Sequence, residues 1–292
     1  VLADGTGDRL LIADTNHNHI VVTSLDGSLK QVIGSGEETL ADGNLSDCGF
    51  NHPQGMFLEG ETLYVADSEN HAIRRVDLAA GTVETIAGTG EQGHTREGRR
   101  PGRNMELCSP FDLVKHDDIL YIAMAGIHQL WSMDLKDGMI GPFAGTGGEA
   151  IIDGPLPTAL LAQPCGITTD GAKLYFADSE TSSVRSADID PSGRVRTIIG
   201  LDLFVFGDVD GSDHHVRLQH PIGITHHEGV LYITDTYNHK VKRVLPVTRS
   251  AFTVLGNGAA GHVDGAADQA QFSEPSGISF CNGKMYIADT NN

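Results

Sequence analysis

Basic side chains are scarce in this sequence: 20 Lys plus Arg stand against 39 Asp plus Glu, a net charge of -19. A nucleic-acid binder gathers lysines and arginines on one face to displace phosphate counterions. Here the only dense basic run is Arg96, Arg99, Arg100 and Arg103 in one loop, and nucleic acid is not an expected partner. Long apolar runs are missing too. None approaches the ~20 residues that a membrane helix needs, so no membrane partner is expected. Cysteine is thin, with Cys48, Cys108, Cys165 and Cys281 far apart and no Cys-x-x-Cys pair. That excludes the usual zinc and redox spacings and points to buried small hydrophobes in a reducing compartment, the cytoplasm. No Gly-x-Ser-x-Gly elbow and no glycine-rich phosphate loop before a helix occur. Nucleophilic hydrolysis and nucleotide binding lack support.

What the chain has is repetition. Leu63-Tyr64-Val65-Ala66-Asp67-Ser68 recurs as Leu11 to Thr15, Tyr175 to Ser179, Tyr232 to Thr236 and Tyr286 to Thr290. A sixth copy, Leu120 to Ala125, keeps the strand and puts Met124 where the others have Asp. The intervals between Asp14, Asp67, Met124, Asp178, Asp235 and Asp289 are 53, 57, 54, 57 and 54 residues. A period of about 50 residues made of short strands is the mark of a propeller or solenoid. The expected fold is an all-β, six-bladed β-propeller in one domain. Its blades fall near 1–36, 53–90, 110–147, 164–200, 221–258 and 275–292, the first and last truncated.

Each blade opens at a proline (Pro53, Pro110, Pro164, Pro221, Pro275) and closes at a glycine pair such as Gly88-Thr89-Gly90. The loops between carry Asp42-Gly43, Asp153-Gly154, Asp210-Gly211 and Asp264-Gly265, each glycine ten residues before the next proline, with Glu97-Gly98 as a variant. A large apolar residue (Phe50, Leu107, Leu161, Leu218, Phe272) stands three before each proline. This spacing predicts an Asp-capped turn, one short helical turn at most, pinned by an apolar anchor. The recurring Asp is expected to be structural, accepting backbone N–H bonds in the turn that follows it. A ring of equivalent acids is no catalytic constellation. Asp208, Asp210 and Asp213 imitate a calcium loop only loosely, since the twelfth position is Gln219.

Asp67-Ser68-Glu69-Asn70-His71-Ala72-Ile73 and Asp235-Thr236-Tyr237-Asn238-His239-Lys240-Val241 resemble the Asp-Thr-x-Asn-His-Arg-Ile core of NHL repeats. Within that family the chain resembles propellers that follow a thioredoxin-like domain, on 123–131, 206–211 and 218–221. The resemblance implies a non-catalytic interaction scaffold whose partners are proteins, an attached thioredoxin-like domain among them, and no cofactor. The alternative is a metal-dependent propeller enzyme, a lactonase or lyase, with its site in a central channel.

Binding candidates follow from position. His52, Gln54, Gln163, His220 and Glu274 flank opening prolines at the expected channel mouth, and His226 ends a first strand. Asp112 replaces the usual glycine of the opening, Met124 replaces the recurring Asp, and Arg99 and Arg100 lead into the same third blade. No catalytic and no metal-ligating residue is assigned. Charge reversal at Arg99 and Arg100 is expected to leave melting unchanged.

Overall fold

The computed structural model describes residues 1–292. Hydrogen bonding sorts the strands into six antiparallel sheets, and the molecule is an all-β β-propeller. The first sheet holds Leu2–Asp4, Arg9–Asp14, His19–Thr23 and Leu29–Ile33 in chain order. The second holds Pro53–Glu59, Thr62–Asp67, Ala72–Asp77 and Thr82–Ala87; the third Pro110–His116, Ile119–Met124, Gln129–Asp134 and Met139–Ala144. The fourth (Pro164–Thr169, Lys173–Asp178, Ser183–Asp188, Arg194–Ile199) and the fifth (Pro221–His227, Val230–Asp235, Lys240–Leu245, Ser250–Leu255) repeat the plan. The sixth sheet has two strands, Pro275–Cys281 and Lys284–Asp289. Five sheets are therefore full four-strand meanders, where the sequence predicts six blades with the first cut short. The first keeps all four strands, its opening strand only three residues long.

The Asp-Gly loops do more than turn. In sheets two to five the residues Gly43–Asn44, Arg100–Pro101, Gly154–Pro155 and Gly211–Ser212 each add a two-residue strand to the edge of the fourth strand. A bare strand edge is a template for unwanted pairing, and these short strands cover it. After three of them comes a single 3-10 turn, at Gly102–Asn104, Leu156–Thr158 and Asp213–His215. The expected helical turn is present there, but no aspartate caps it. Asp42 instead reaches across to the fourth strand, where Oδ1 accepts from the Thr85 backbone N–H and hydroxyl, each at 2.7 Å.

The chain forms two compact units, Val1–Pro142 with Ser279–Tyr286 and Phe143–Ile278 with Ile287–Asn292. In the first, one core joins sheets one and two through Leu11, Ile20, Phe50, Leu63 and Val65. Another joins sheets two and three through Tyr64, Ile73, Leu107, Ile122 and Trp131. In the second unit, Tyr175, Val184, Leu218, Ile224 and Ile233 join sheets four and five. Of the predicted anchors, Phe50, Leu107, Leu161 and Leu218 are fully buried, whereas Phe272 is only half-buried. Second strands such as Thr62–Asp67 and Lys173–Asp178 are buried on both faces, which is why their residues run apolar instead of alternating.

Candidate functional site

The repeated motif is a set of staples. Asp67 Oδ1 accepts the Asn51 N–H at 2.7 Å, two residues before the sheet's opening proline. Asp178 does the same for Ala162, Asp235 for Gln219 and Asp289 for Ser273. The aspartate thus holds the segment that precedes its sheet, where the sequence predicted the turn that follows. The hydroxyl one residue on donates to the next sheet's proline carbonyl, as Thr15 to Pro53, Ser68 to Pro110 and Thr236 to Pro275. Two residues further, Asn70 and Asn238 donate to the other oxygen of their own Asp and to a loop carbonyl, Thr39 O or Gly207 O.

The fourth residue after the Asp takes a left-handed backbone, with φ between 46° and 57° at Asn18, His71, Ser182 and His239. Such a residue is strained by about 1–2 kcal/mol. In that pose its side chain accepts the N–H of the residue before the next proline. Asn18 takes His52, His71 takes Ser109, Ser182 takes His220 and His239 takes Glu274, at 2.9 to 3.2 Å. His71 and His239 therefore join neighbouring repeats through Nδ1.

A residue that the sequence pattern did not single out completes the network. In sheets two, four and five a fully buried cation stands seven after the Asp, Arg74, Arg185 or Lys242, where sheet one has Val21. Arg74 donates to Asp67 at 2.8 Å, to Gly49 O and Ala41 O, and to the loop acid Asp42. Arg185 joins Asp178 and Asp153. Lys242 lies 2.6 Å from Asp208, 3.1 Å from Asp210 and 3.4 Å from Asp235. Of the loose calcium motif, Asp208 and Asp210 thus hold a lysine, and Asp213 pairs with Arg249. Burial pushes the Asp235 carboxyl up to about 6 against the pull of Lys242, and raises Asp67 in the same direction. Burial also works against the Lys242 ammonium, but Asp235, Asp208 and Asp210 hold its pKa above the ordinary lysine value.

The predicted site residues are dispersed. In the first unit His52 is half-buried with its ring Nδ1 2.8 Å from Asn51 Oδ1. Gln54 is half-buried on the opening strand of sheet two, one residue before Gly55. Asp112 lies over that glycine, for a Cβ on Gly55 would come within 2.0 Å of Asp112 Oδ1. The same oxygen accepts the Leu113 N–H. Met124 is fully buried, its sulfur taking the Cys108 N–H at 3.4 Å, and has no surface to offer a ligand. Arg99 is engaged as well, donating to Ser132 Oγ, Ser132 O and Met139 O. Its reversal should lower melting, contrary to the sequence-based expectation. Arg100 is exposed.

In the second unit Gln163 sits half-buried in a left-handed backbone, its carbonyl accepting the Ser179 N–H. His226 is half-buried with its ring over Tyr175, centroids 6.2 Å apart. His220 stacks on Tyr237 at 4.7 Å, and its Nε2 lies 3.6 Å from Glu180. Glu274 accepts from Asn291 Nδ2 at 2.7 Å. Cys165 is buried, as the sequence leads one to expect of its cysteines. Burial pushes the Cys48 thiol up to about 11. No group of three or more His, Cys, Asp or Glu side chains is arranged to hold a metal ion.

No protein-family model matches the chain. It is similar to NHL repeat-containing protein 2 of Gallus gallus, 40% identical, the alignment covering 100% of this chain and 45% of that protein. It is also similar to Protein SUPPRESSOR OF QUENCHING 1, chloroplastic, of Arabidopsis thaliana, 43% identical over 99% of this chain and 29% of that one. The chain spans less than half the length of these curated relatives. Among solved structures, virginiamycin B lyase from Staphylococcus aureus matches with a TM-score of 0.57 at 10% identity, covering 98% of this chain and 75% of that one. An auxiliary nutrient binding protein from Bacteroides ovatus matches with a TM-score of 0.53 at 17% identity over 94% and 82%. At such identities the likeness is one of fold. No helix is long and apolar enough to cross a membrane.

Proposed function

This chain is an NHL-repeat β-propeller, and on that premise we propose that it is a non-catalytic scaffold that binds proteins beside a thioredoxin-like domain of a longer polypeptide. The observation that carries the proposal is the fate of the repeated polar residues. Asp67, Asn70 and Arg74 hold the loop that enters their own sheet, and His71 fastens that repeat to the next; their counterparts do the same. The chemistry-bearing side chains of the motif build a frame, and recognition is left to the loops that the frame displays. Six repeats make six blades in this proposal, the sixth being the sheet at Pro275–Cys281 and Lys284–Asp289. The four cysteines form no disulfide, which suits a reducing compartment such as the cytoplasm, although one relative is named chloroplastic.

The test mixes this chain with a purified thioredoxin-like domain in a calorimeter. Association near a micromolar Kd, about 8 kcal/mol, is expected, and no heat at high concentration would count against the proposal. Arg100→Glu removes an exposed charge and should weaken an acidic partner with melting unchanged.

The enzyme alternative draws on the lyase-like fold. Elemental analysis of the purified protein separates the two. Stoichiometric zinc, calcium or magnesium, with turnover lost on chelation, would favour the enzyme.

A further inference from the structure

The loop that leads into sheet five differs from its counterparts. Within 201–209 it exposes Phe204 by 84% and Phe206 by 56%, with Leu201 and Val209 also exposed. The corresponding loops at 146–153 and 257–264 expose one large aliphatic each, Ile152 and Val263, and those at 35–42 and 89–98 none. Single exposed apolar residues are ordinary, but four within nine positions mark an interaction surface. The loop is firmly rooted. Gly207 O accepts from Asn238, Gly207 N donates to Leu218 O, and Asp208 is held by Lys240 and Lys242.

The residue before Asn238 carries the surface onward. Tyr237 is 46% exposed and stacks on His220 with ring planes 19° apart. Beyond His220 stands the carboxylate of Glu180, and past His239, whose Nδ1 accepts the Glu274 N–H, stands that of Glu274. Glu180 faces only the imidazole and Glu274 only the Asn291 amide; neither has a lysine or arginine within ion-pair distance.

We propose that Phe204, Phe206, Tyr237, His220, Glu180 and Glu274 form the docking face for a partner protein, and that the docked segment carries arginine or lysine among apolar side chains. An exposed phenol ring stacked on an imidazole that a carboxylate faces suits a guanidinium, which stacks on the open face of the ring and pairs with an acid. The two phenylalanines supply the apolar anchors that dominate protein interfaces. Two carboxylates on a chain of net charge -19 make an anionic bilayer a poor occupant. This inference rests on the scaffold proposal and assigns it a face and a partner chemistry.

The test is fluorescence polarisation with the whole chain and two labelled peptides, one alternating leucine with arginine and one with glutamate in place of arginine. The arginine peptide should bind and the glutamate peptide should not. Tyr237→Ala, or Phe204→Ser with Phe206→Ser, should weaken binding about tenfold. Glu180→Gln with Glu274→Gln should weaken it about fivefold and flatten its salt dependence. Phe204, Phe206 and Tyr237 are exposed and Glu180 and Glu274 half-buried, and these changes should leave melting unchanged.

Equal affinity for both peptides, or unchanged affinity in the variants, overturns the proposal. So does a dimer by light scattering that dissociates on Phe204→Ser with Phe206→Ser, which makes the occupant a second copy, or sedimentation with anionic vesicles. Hydrogen exchange separates this inference from the scaffold itself. Peptide protection that maps away from these residues removes this face and leaves the scaffold standing. No binding of either peptide or of the thioredoxin-like domain removes both.

Discussion

Sheets two and three share one core and fill the same interior position with opposite chemistry. In sheet two a buried carboxylate and guanidinium meet, Asp67 and Arg74 at 2.8 Å, both fully buried. In sheet three the same two positions hold Met124 and Trp131, also fully buried. The exchange extends to their neighbours. Arg74 ties the entering loop through Ala41 O, whereas in sheet three Gln129 donates to Arg96 O and accepts from the Trp131 indole. Asp42 links its loop to the fourth strand of sheet two, while Arg99 does so in sheet three by donating to Met139 O. Sheet three is thus a coordinated replacement. The position must be filled and the loop tethered; charge is only one way to do it. Buried ion pairs often exchange for packed apolar groups at little loss, whereas breaking one partner is severe.

The largest expected effect comes from breaking the pair on one side. Asp67→Ala or Arg74→Leu strands a buried charge and should destabilise the protein by about 3–5 kcal/mol in denaturant unfolding. The reciprocal insult, Met124→Asp, should fall in the same range. Transplanting the sheet-three solution, Asp67→Met with Arg74→Trp, should leave a loss no larger than half that of either single variant, far below the sum of the two. Additive losses would show that the sheets are not interchangeable at this position.

The buried cation leaves no mark in contiguous sequence. The period and the strands were legible because Leu63 to Asp67 and its copies repeat as contiguous text. Arg74 is coupled to Asp67 diagonally across a strand pair, since Asp67 lies opposite Ala72 and Arg74 is two further along the same face. The signal existed, for Arg74, Arg185 and Lys242 all stand seven after an Asp, and the copy without the Asp has Trp131. It becomes visible only when cross-strand pairs are compared instead of adjacent residues. Loop acids such as Asp42 suggested a helix cap because Asp-Gly is local turn chemistry, while their partners Thr85 and Arg74 are remote in sequence. The exposed aromatics at 204 and 206 were hidden for the opposite reason: an apolar string in a strand-rich chain reads as core.

Sheet five sharpens the comparison through pH. The folded Asp235 has its pKa raised to about 6 from 3.8, so between those values the folded chain holds a proton that the unfolded chain has lost. Its stabilising contribution is complete below the unfolded value and is lost as pH rises through about 6. Asp42 and Asp153 behave oppositely. Although burial opposes it, their hydrogen bonds and the nearby arginines hold them below the ordinary value, and their contribution is lost as pH falls below the carboxylate range. Asp235→Asn should remove a fall of about 1–3 kcal/mol across the window near pH 4 to 6, read from unfolding free energies at several pH values. Met124→Leu, at the position where sheet three has nothing to titrate, should leave the shape of that profile unchanged. A wild-type profile that rises steadily through the window would show that the pull of Lys242 outweighs burial.

The smallest effect concerns the hydroxyl beside the ion pair. Ser68 donates to Pro110 O inside the core, while sheet three has Ala125 at the equivalent place. Since one repeat does without the hydroxyl, it is a fastening and not a requirement of the fold. Ser68→Ala should destabilise by about 1 kcal/mol, the net worth of a neutral hydrogen bond plus a carbonyl left with one partner fewer. Ser68→Thr should recover that loss, because Thr15 and Thr236 make the same bond to Pro53 O and Pro275 O. The added methyl has a precedent at Thr236, which is buried as Ser68 is. A loss above about 3 kcal/mol in Ser68→Ala would place the hydroxyl on a par with the buried ion pair. The tolerance of sheet three for Ala125 would then have to come from the Met124 and Trp131 packing around it, so that the apolar solution supports the whole corner of the repeat and not the ion-pair position alone.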